Sequence, residues 1–187
     1  MALTRLDPNT ALVIVDLQKG IVALPLVHPI ETIVARSSAL AAAFRTRGLP
    51  VVLVNVTGGA PGRTEQPRFN TDALPADFAE LVPELDRQPD DIVVTKRTWG
   101  AFASTDLDRQ LKALGVTQVV VTGVATATGV ESTARQAYEQ GFNVTLAIDA
   151  MTDQSVDAHD YSVRNVFPRL GETGSTDEVI ALLDSRS

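Results

Sequence analysis

Residues 119–134 read Val-Val-Val-Thr-Gly-Val-Ala-Thr-Ala-Thr-Gly-Val-Glu-Ser-Thr-Ala, an apolar run that breaks at a Thr/Gly-rich turn and resumes as an amphipathic pattern. Val119 to Thr122 is β-branched without alternation, as expected of a strand buried on both faces of a parallel sheet. From Val130 onward, Val130, Ala134, Ala137 and Tyr138 recur at helical spacing with Glu131, Arg135, Gln136 and Glu139 between them. The turn from Gly123 to Gly129 therefore joins a strand's carboxyl end to a helix's amino end. In open α/β sheets that edge receives ligands, and unpaired amides there favour negative charge. A turn of this composition also occurs as a plain tight connection, so its meaning depends on what else reaches the same edge.

Outward from this stretch, Ala11–Val15 is a second apolar run, and it stops at Asp16. Asp16 reads either as a turn former or as a carboxylate presented at a strand end. Pro29–Arg47 carries Ile30, Ile33, Val34, Leu40, Ala41 and Phe44 at helical spacing, and Gly48 closes it. Val51–Val56 is a third strand, so strand, helix and strand imply a right-handed parallel crossover. Ile92–Thr95 is a fourth, followed directly by Lys96. Lys96 is either a solvated lysine or a cation on the edge that holds Asp16 and the Gly123 turn.

Further elements are expected at Ala76–Leu85 (a short helix), Thr105–Leu114 (a helix capped by Ser104 or Thr105), Phe142–Ile148 (a strand ending at Asp149-Ala150), Ser155–Phe167 (helix), Arg169-Leu170 (a short last strand) and Thr176–Leu183 (helix). About six strands alternating with helices predict an α/β fold, a three-layer α/β/α sandwich around a parallel sheet. Residues 1–187 read as one domain. Thr57–Pro75, rich in Gly and Pro, reads as a loop over the site. Its Arg63 and Arg68 are candidates to clamp a substrate carboxylate, with solvated surface arginines as the alternative.

The 187 residues are 44% hydrophobic and carry a net charge of −7, which argues against a nucleic-acid partner. There is no cysteine, which excludes disulfides, thiolate metal ligands and thiol nucleophiles. The amino terminus lacks a basic segment followed by a long apolar one, and no stretch approaches a membrane span, so a cytoplasmic protein is expected.

Four motifs in order make the chain resemble the isochorismatase-like hydrolase superfamily, which includes nicotinamidases, N-carbamoylsarcosine amidases and isochorismatases. They are Ala-Leu-Val-Ile-Val-Asp16-Leu-Gln18, Lys96-Arg-Thr-Trp99-Gly-Ala-Phe102 through Leu107, Gly123-Val-Ala125-Thr126, and Thr133-Ala134 through Gly141 to Asp149-Ala150. The resemblance implies a Rossmann-like sheet of order 3-2-1-4-5-6, a cis peptide between Val124 and Ala125, and a homodimer or larger assembly. It also implies a hydrolase in which Asp16 and Lys96 act as acid/base pair. The amides of Ala125 and Gly129 would then hold an oxyanion, with Gln18, Trp99, Phe102, Arg63 and Arg68 around a small-molecule substrate.

Departures from the family are equally specific. Gly129 stands where the amidases carry their nucleophilic cysteine. Thr126, Thr128 and Ser132 are weak replacements, because Thr128 reads as a helix cap and Ser132 as helix interior. The metal that nicotinamidase-type members bind needs histidines in the loop after the second strand, and Thr57–Pro75 has none, so no metal or cofactor is expected. His28 reads as a loop residue, His159 as helix surface or packing. Siderophore-type isochorismatases carry an aromatic residue and a histidine where this chain has Ala125 and Ala127.

The expected function is hydrolysis of a small carboxylate- or amide-bearing molecule by Asp16/Lys96 chemistry without a thiol. One route protonates a vinyl ether, and another activates water against an amide carbonyl. The alternative is an inactive binding or regulatory homologue.

Overall fold

The computed structural model describes residues 3–66 and 73–185. Six strands, β1 (Thr10–Val15), β2 (Val51–Val56), β3 (Ile92–Lys96), β4 (Gln118–Val124), β5 (Asn143–Thr152) and β6 (Glu172–Gly174), form one sheet. Their order is β3-β2-β1-β4-β5-β6, and every pairing is parallel. The helices are α1 (Lys19–Val22), α2 (Ile30–Thr46), α3 (Leu107–Ala113), α4 (Glu131–Glu139), α5 (Val156–Tyr161) and α6 (Thr176–Asp184).

The absence of alternation in β1 and β4 has the anticipated cause, since every residue of both strands is buried. Successive side chains go to opposite faces. Ala11, Val13, Val15, Val119 and Val121 pack with Leu107 and Leu111 of α3 and with Ala134 and Ala137 of α4. Leu12, Ile14 and Val120 pack on the other face with Ile33, Leu40 and Phe44 of α2 and with Val179 and Leu183 of α6. This makes the three layers and places the change of chain direction between β1 and β4, the two central strands.

Several expectations are corrected in detail. Ala76–Leu85 is not a helix: a turn over residues 76–79 leads to an isolated bridge of Leu81 with Gln18, and Pro83–Leu85 forms a single 3₁₀ turn. Proline at its first position and the pairing of Leu81 prevent a continuous helix. Phe167–Arg169 is likewise a 3₁₀ turn, and the last strand begins at Glu172 instead of Arg169. β5 does not stop at Asp149-Ala150. A bulge between the pairs Val121–Leu146 and Gly123–Met151 carries it on to Thr152.

Gly123 shows why β1 and β4 can lie so close at their carboxyl ends. Its φ is +114°, and a β-carbon there would sit 2.0 Å from the Val15 carbonyl oxygen. Only glycine satisfies both conditions.

Candidate functional site

Asp16, Lys96 and Gly129 meet at the carboxyl edge of the sheet. Asp16 directly follows β1 with φ +54°, a left-handed conformation in which aspartate is enriched among non-glycine residues. Lys96 is the last residue of β3, which is separated from β1 by β2. Two strand spacings are about 9–10 Å, a span that only a long side chain can bridge. Lys96 Nζ lies 2.6 Å from Asp16 Oδ2 and donates a second hydrogen bond, 2.8 Å, to the Trp99 carbonyl. Both residues are almost fully buried, with relative exposures of 5% and 1%.

The second carboxylate oxygen, Asp16 Oδ1, is buried and has no hydrogen-bond partner among the described residues. Burial pushes the Asp16 pKa up to about 6, against the opposing charge and hydrogen bond of Lys96. A carboxyl group so tuned exchanges protons near neutrality, as acid/base catalysis requires.

Gly129 faces this pair. Beyond the cis peptide Val124–Ala125, residues Thr126–Val130 form a wide turn in which the Val130 amide bonds to the Ala125 carbonyl, 3.1 Å, and α4 follows. A β-carbon at Gly129 would lie 3.1 Å from Asp16 Oδ2. A side chain at this position would thus point at the carboxylate. The turn is tied down from several sides. Thr133 Oγ1 donates to the Gly129 carbonyl, 2.7 Å, and accepts from the Ala101 amide, 3.1 Å, which links the turn to the loop carrying Trp99. The Ala127 amide donates to Asp153 Oδ2, 2.8 Å. No side chain caps α4, so Thr128 is not the cap expected of it; it borders the cavity instead.

Asp16, Lys96, Ala125 and Gly129 border one cavity of about 380 Å³. Trp99 stands beside it, 66% exposed. Gln18 does not border it: its amide nitrogen donates to the carbonyls of Val56 and Phe78, both 3.0 Å, and its oxygen accepts from the Val56 amide, 2.6 Å. With those bonds made, Gln18 fastens the end of β2 to the segment after the loop. Phe102 is buried in the core, its ring 5.9 Å from that of Phe142. Arg63 is exposed and does not border the cavity, and Arg68 lies outside the described residues.

Sequence reasoning missed the apolar wall contributed by Ile21, Leu24 and Leu26. The signal was present, because an apolar stretch directly after a strand's carboxyl end is well placed to line an edge cavity. Gln154 and Thr98 were also missed.

Among the described residues no three His, Asp or Glu side chains lie together as a metal-ligand set. His28 and His159 meet in a tilted ring contact with centroids 4.7 Å apart and planes at 60°, His28 bonding Thr152 and His159 bonding Thr126. The donor set of the metal-binding relatives therefore does not fit these residues.

A six-stranded parallel sheet of this order, with an aspartate and a lysine paired at its carboxyl edge beside a turn-to-helix junction, defines an isochorismatase-like hydrolase. The family described as Isochorismatase domain matches residues 10–178, and the chain belongs to that family. It is similar to an uncharacterized isochorismatase family protein of Bacillus subtilis, YwoC, at 42% identity over 92% of this chain and 93% of that one. A ureidoacrylate amidohydrolase of Pseudomonas syringae is 31% identical over 76% of this chain and 71% of its own length. Among solved structures, an isochorismatase family protein from Burkholderia thailandensis superposes with a TM-score of 0.92, at 42% identity, covering 96% of this chain and 98% of that one.

Proposed function

We propose that this hydrolase uses Asp16 as general base on a water molecule, without a covalent enzyme intermediate. The observation that carries the reading is the buried Asp16 carboxylate, whose Oδ2 is held by Lys96 and borders the space that a side chain at position 129 would take, and whose Oδ1 has no hydrogen-bond partner among the described residues. Asp16 takes a proton from water, and the water oxygen bonds to the substrate's carbonyl carbon. Negative charge develops on the carbonyl oxygen beside the backbone of Ala125 and Gly129. The proton then passes from Asp16 to the leaving group as its bond to carbon breaks. Lys96 keeps Asp16 oriented and limits how far burial raises its pKa.

A second reading draws on the same pKa of about 6, which leaves part of Asp16 protonated near neutrality. Asp16 is then a general acid that protonates a vinyl ether carbon, and water captures the cation.

The pH dependence of kcat/KM separates the two. With a panel of carboxamides, p-nitrophenyl esters and a vinyl ether, the base role gives a rate that rises about tenfold per unit up to pH 6 and is level above. The acid role gives the opposite limb. Asp16→Asn lowers either activity by about 10²–10⁴. Turnover unaffected by that substitution in a folded variant would remove Asp16 from the chemistry and favour a binding or regulatory homologue.

A further inference from the structure

Two walls of the cavity come from segments far apart in the chain, the loop carrying Ile21, Leu24 and Leu26 and the turn carrying Ala125, Thr128 and Gly129. Both are tied to the same two buried residues, Thr152 at the end of β5 and Asp153 directly after it. Asp153 Oδ2 accepts from the Ala127 amide, 2.8 Å, in the middle of the turn, and the Asp153 main-chain carbonyl accepts from the Val27 amide, 2.9 Å, one residue past Leu26. The other carboxylate oxygen, Oδ1, accepts from the amides of Gln154, 2.7 Å, and Ser155, 3.3 Å, which holds the side chain against its own backbone. Thr152 Oγ1 accepts from the His28 amide, 3.2 Å, and so secures the same loop.

The bulge in β5 brings these residues to the edge. Val121 pairs with Leu146, but Gly123 pairs with Met151 and Val124 with Thr152. In unbroken register Val124 would face Asp149, and Asp153 would lie roughly 13 Å beyond it along the strand. Among the described residues the Asp153 carboxylate bonds only to backbone amides, and it does not itself border the cavity. Its influence on a ligand therefore runs through the two walls.

We propose that Asp153 is a positioning residue, which clamps the turn at Ala127 to the loop at Val27, sets where the backbone of Ala125 and Gly129 stands against Asp16, and closes the walls to water. A carboxylate fits the task, because both of its oxygens accept and its hydrogen bonds from amides are the strong ones. Alanine offers no acceptor there. Asparagine offers one oxygen where two are used, with a donor facing an amide at the other place. The consequence for the site rests on the reading of Asp16 as the acid/base group, whereas the clamp itself does not. Asp16 owes its raised pKa to burial, so walls that part and admit water lower it.

The full chain and its variants Asp153→Ala and Asp153→Asn are compared by two NMR measurements, amide hydrogen exchange and the pH titration of the Asp16 carboxyl carbon. In Asp153→Ala the Ala127 and Val27 amides are expected to accelerate at least about tenfold beyond any change at Ile14 in β1 and Val121 in β4, which report global stability. The Asp16 midpoint is expected to fall from about 6 by at least about one unit toward 3.8. Asp153→Asn keeps the volume, is expected to move both readouts the same way by less, and carries the test if the alanine variant does not fold. A role in general stability alone would raise exchange equally at all four amides and leave the midpoint in place; that result, or unchanged exchange at Ala127, would overturn the proposal. The two readings fail separately. A wild-type midpoint near the ordinary carboxylate value removes Asp16 from acid/base work while exchange still decides the clamp. A wild-type midpoint of about 6 that both variants leave in place removes the clamp while Asp16 keeps its role.

Discussion

Substituting Gly129 by cysteine tests whether Asp16 and Lys96 still form an environment able to activate a nucleophile. The Gly129 backbone is not left-handed, so a β-carbon meets no torsional penalty there. It would lie 3.1 Å from Asp16 Oδ2, from the Val124 carbonyl oxygen and from Val15 Cγ1, a few tenths of an ångström inside ordinary contact. Such overpacking costs about 1–3 kcal/mol, which a folded domain can absorb. The thiol would stand beside a carboxylate able to accept its proton, with the Lys96 ammonium 2.6 Å from that carboxylate. An ordinary cysteine, with a pKa of about 8.5, is roughly 0.3% thiolate at pH 6. Lowering that pKa to about 6.5, within the range found beside cations and helix amino termini, raises the fraction to roughly 24%. The weaker basicity reduces nucleophilicity about eightfold over two units, so the alkylation rate at pH 6 should rise about tenfold over a model thiol. The natural chain has no cysteine, so iodoacetamide labelling read by intact mass reports one site only. A folded variant whose labelling midpoint lies at or above that of a model thiol would refute the reasoning.

Three further outcomes are expected. Gly123→Ala should cost more than about 2 kcal/mol in urea unfolding or abolish soluble expression, since its β-carbon would meet the Val15 carbonyl oxygen at 2.0 Å with φ at +114°; an unchanged midpoint would contradict the close approach of β1 and β4. Thr133→Val removes the hydroxyl between the Gly129 carbonyl and the buried Ala101 amide, and should cost about 1–3 kcal/mol by the same assay. Asp16 should also shape stability against pH. Its folded pKa is raised from 3.8 to about 6, so its contribution is fully present below the unfolded value and is lost as pH rises through the folded one. Between about pH 4 and pH 6 wild type should therefore lose about 2 kcal/mol relative to Asp16→Asn, and parallel stability curves would show that burial does not perturb this carboxylate.

The sequence by itself determined the sheet, five of its six strands and the edge at which Asp16, Lys96 and the turn after Gly123 meet. Runs such as Ala11–Val15 and Val119–Thr122 lack polar residues because both faces of the central strands are covered, and that requirement is local enough to be written in consecutive residues. The motifs carried the strand order and the family, and Gly129 already marked the missing thiol. Only tertiary structure decided which side chains touch. Lys96 reaches Asp16 by crossing β2, a contact that depends on the register of three strands and spans 80 residues of chain. Gln18 and Phe102 sit within motifs yet spend their side chains on backbone carbonyls and on the core. Ile21, Leu24 and Leu26 carry no motif but fold back over the carboxyl edge as the cavity wall. Periodicity records whether a residue is buried. What it is buried against depends on elements distant in sequence, and no local pattern encodes their separation.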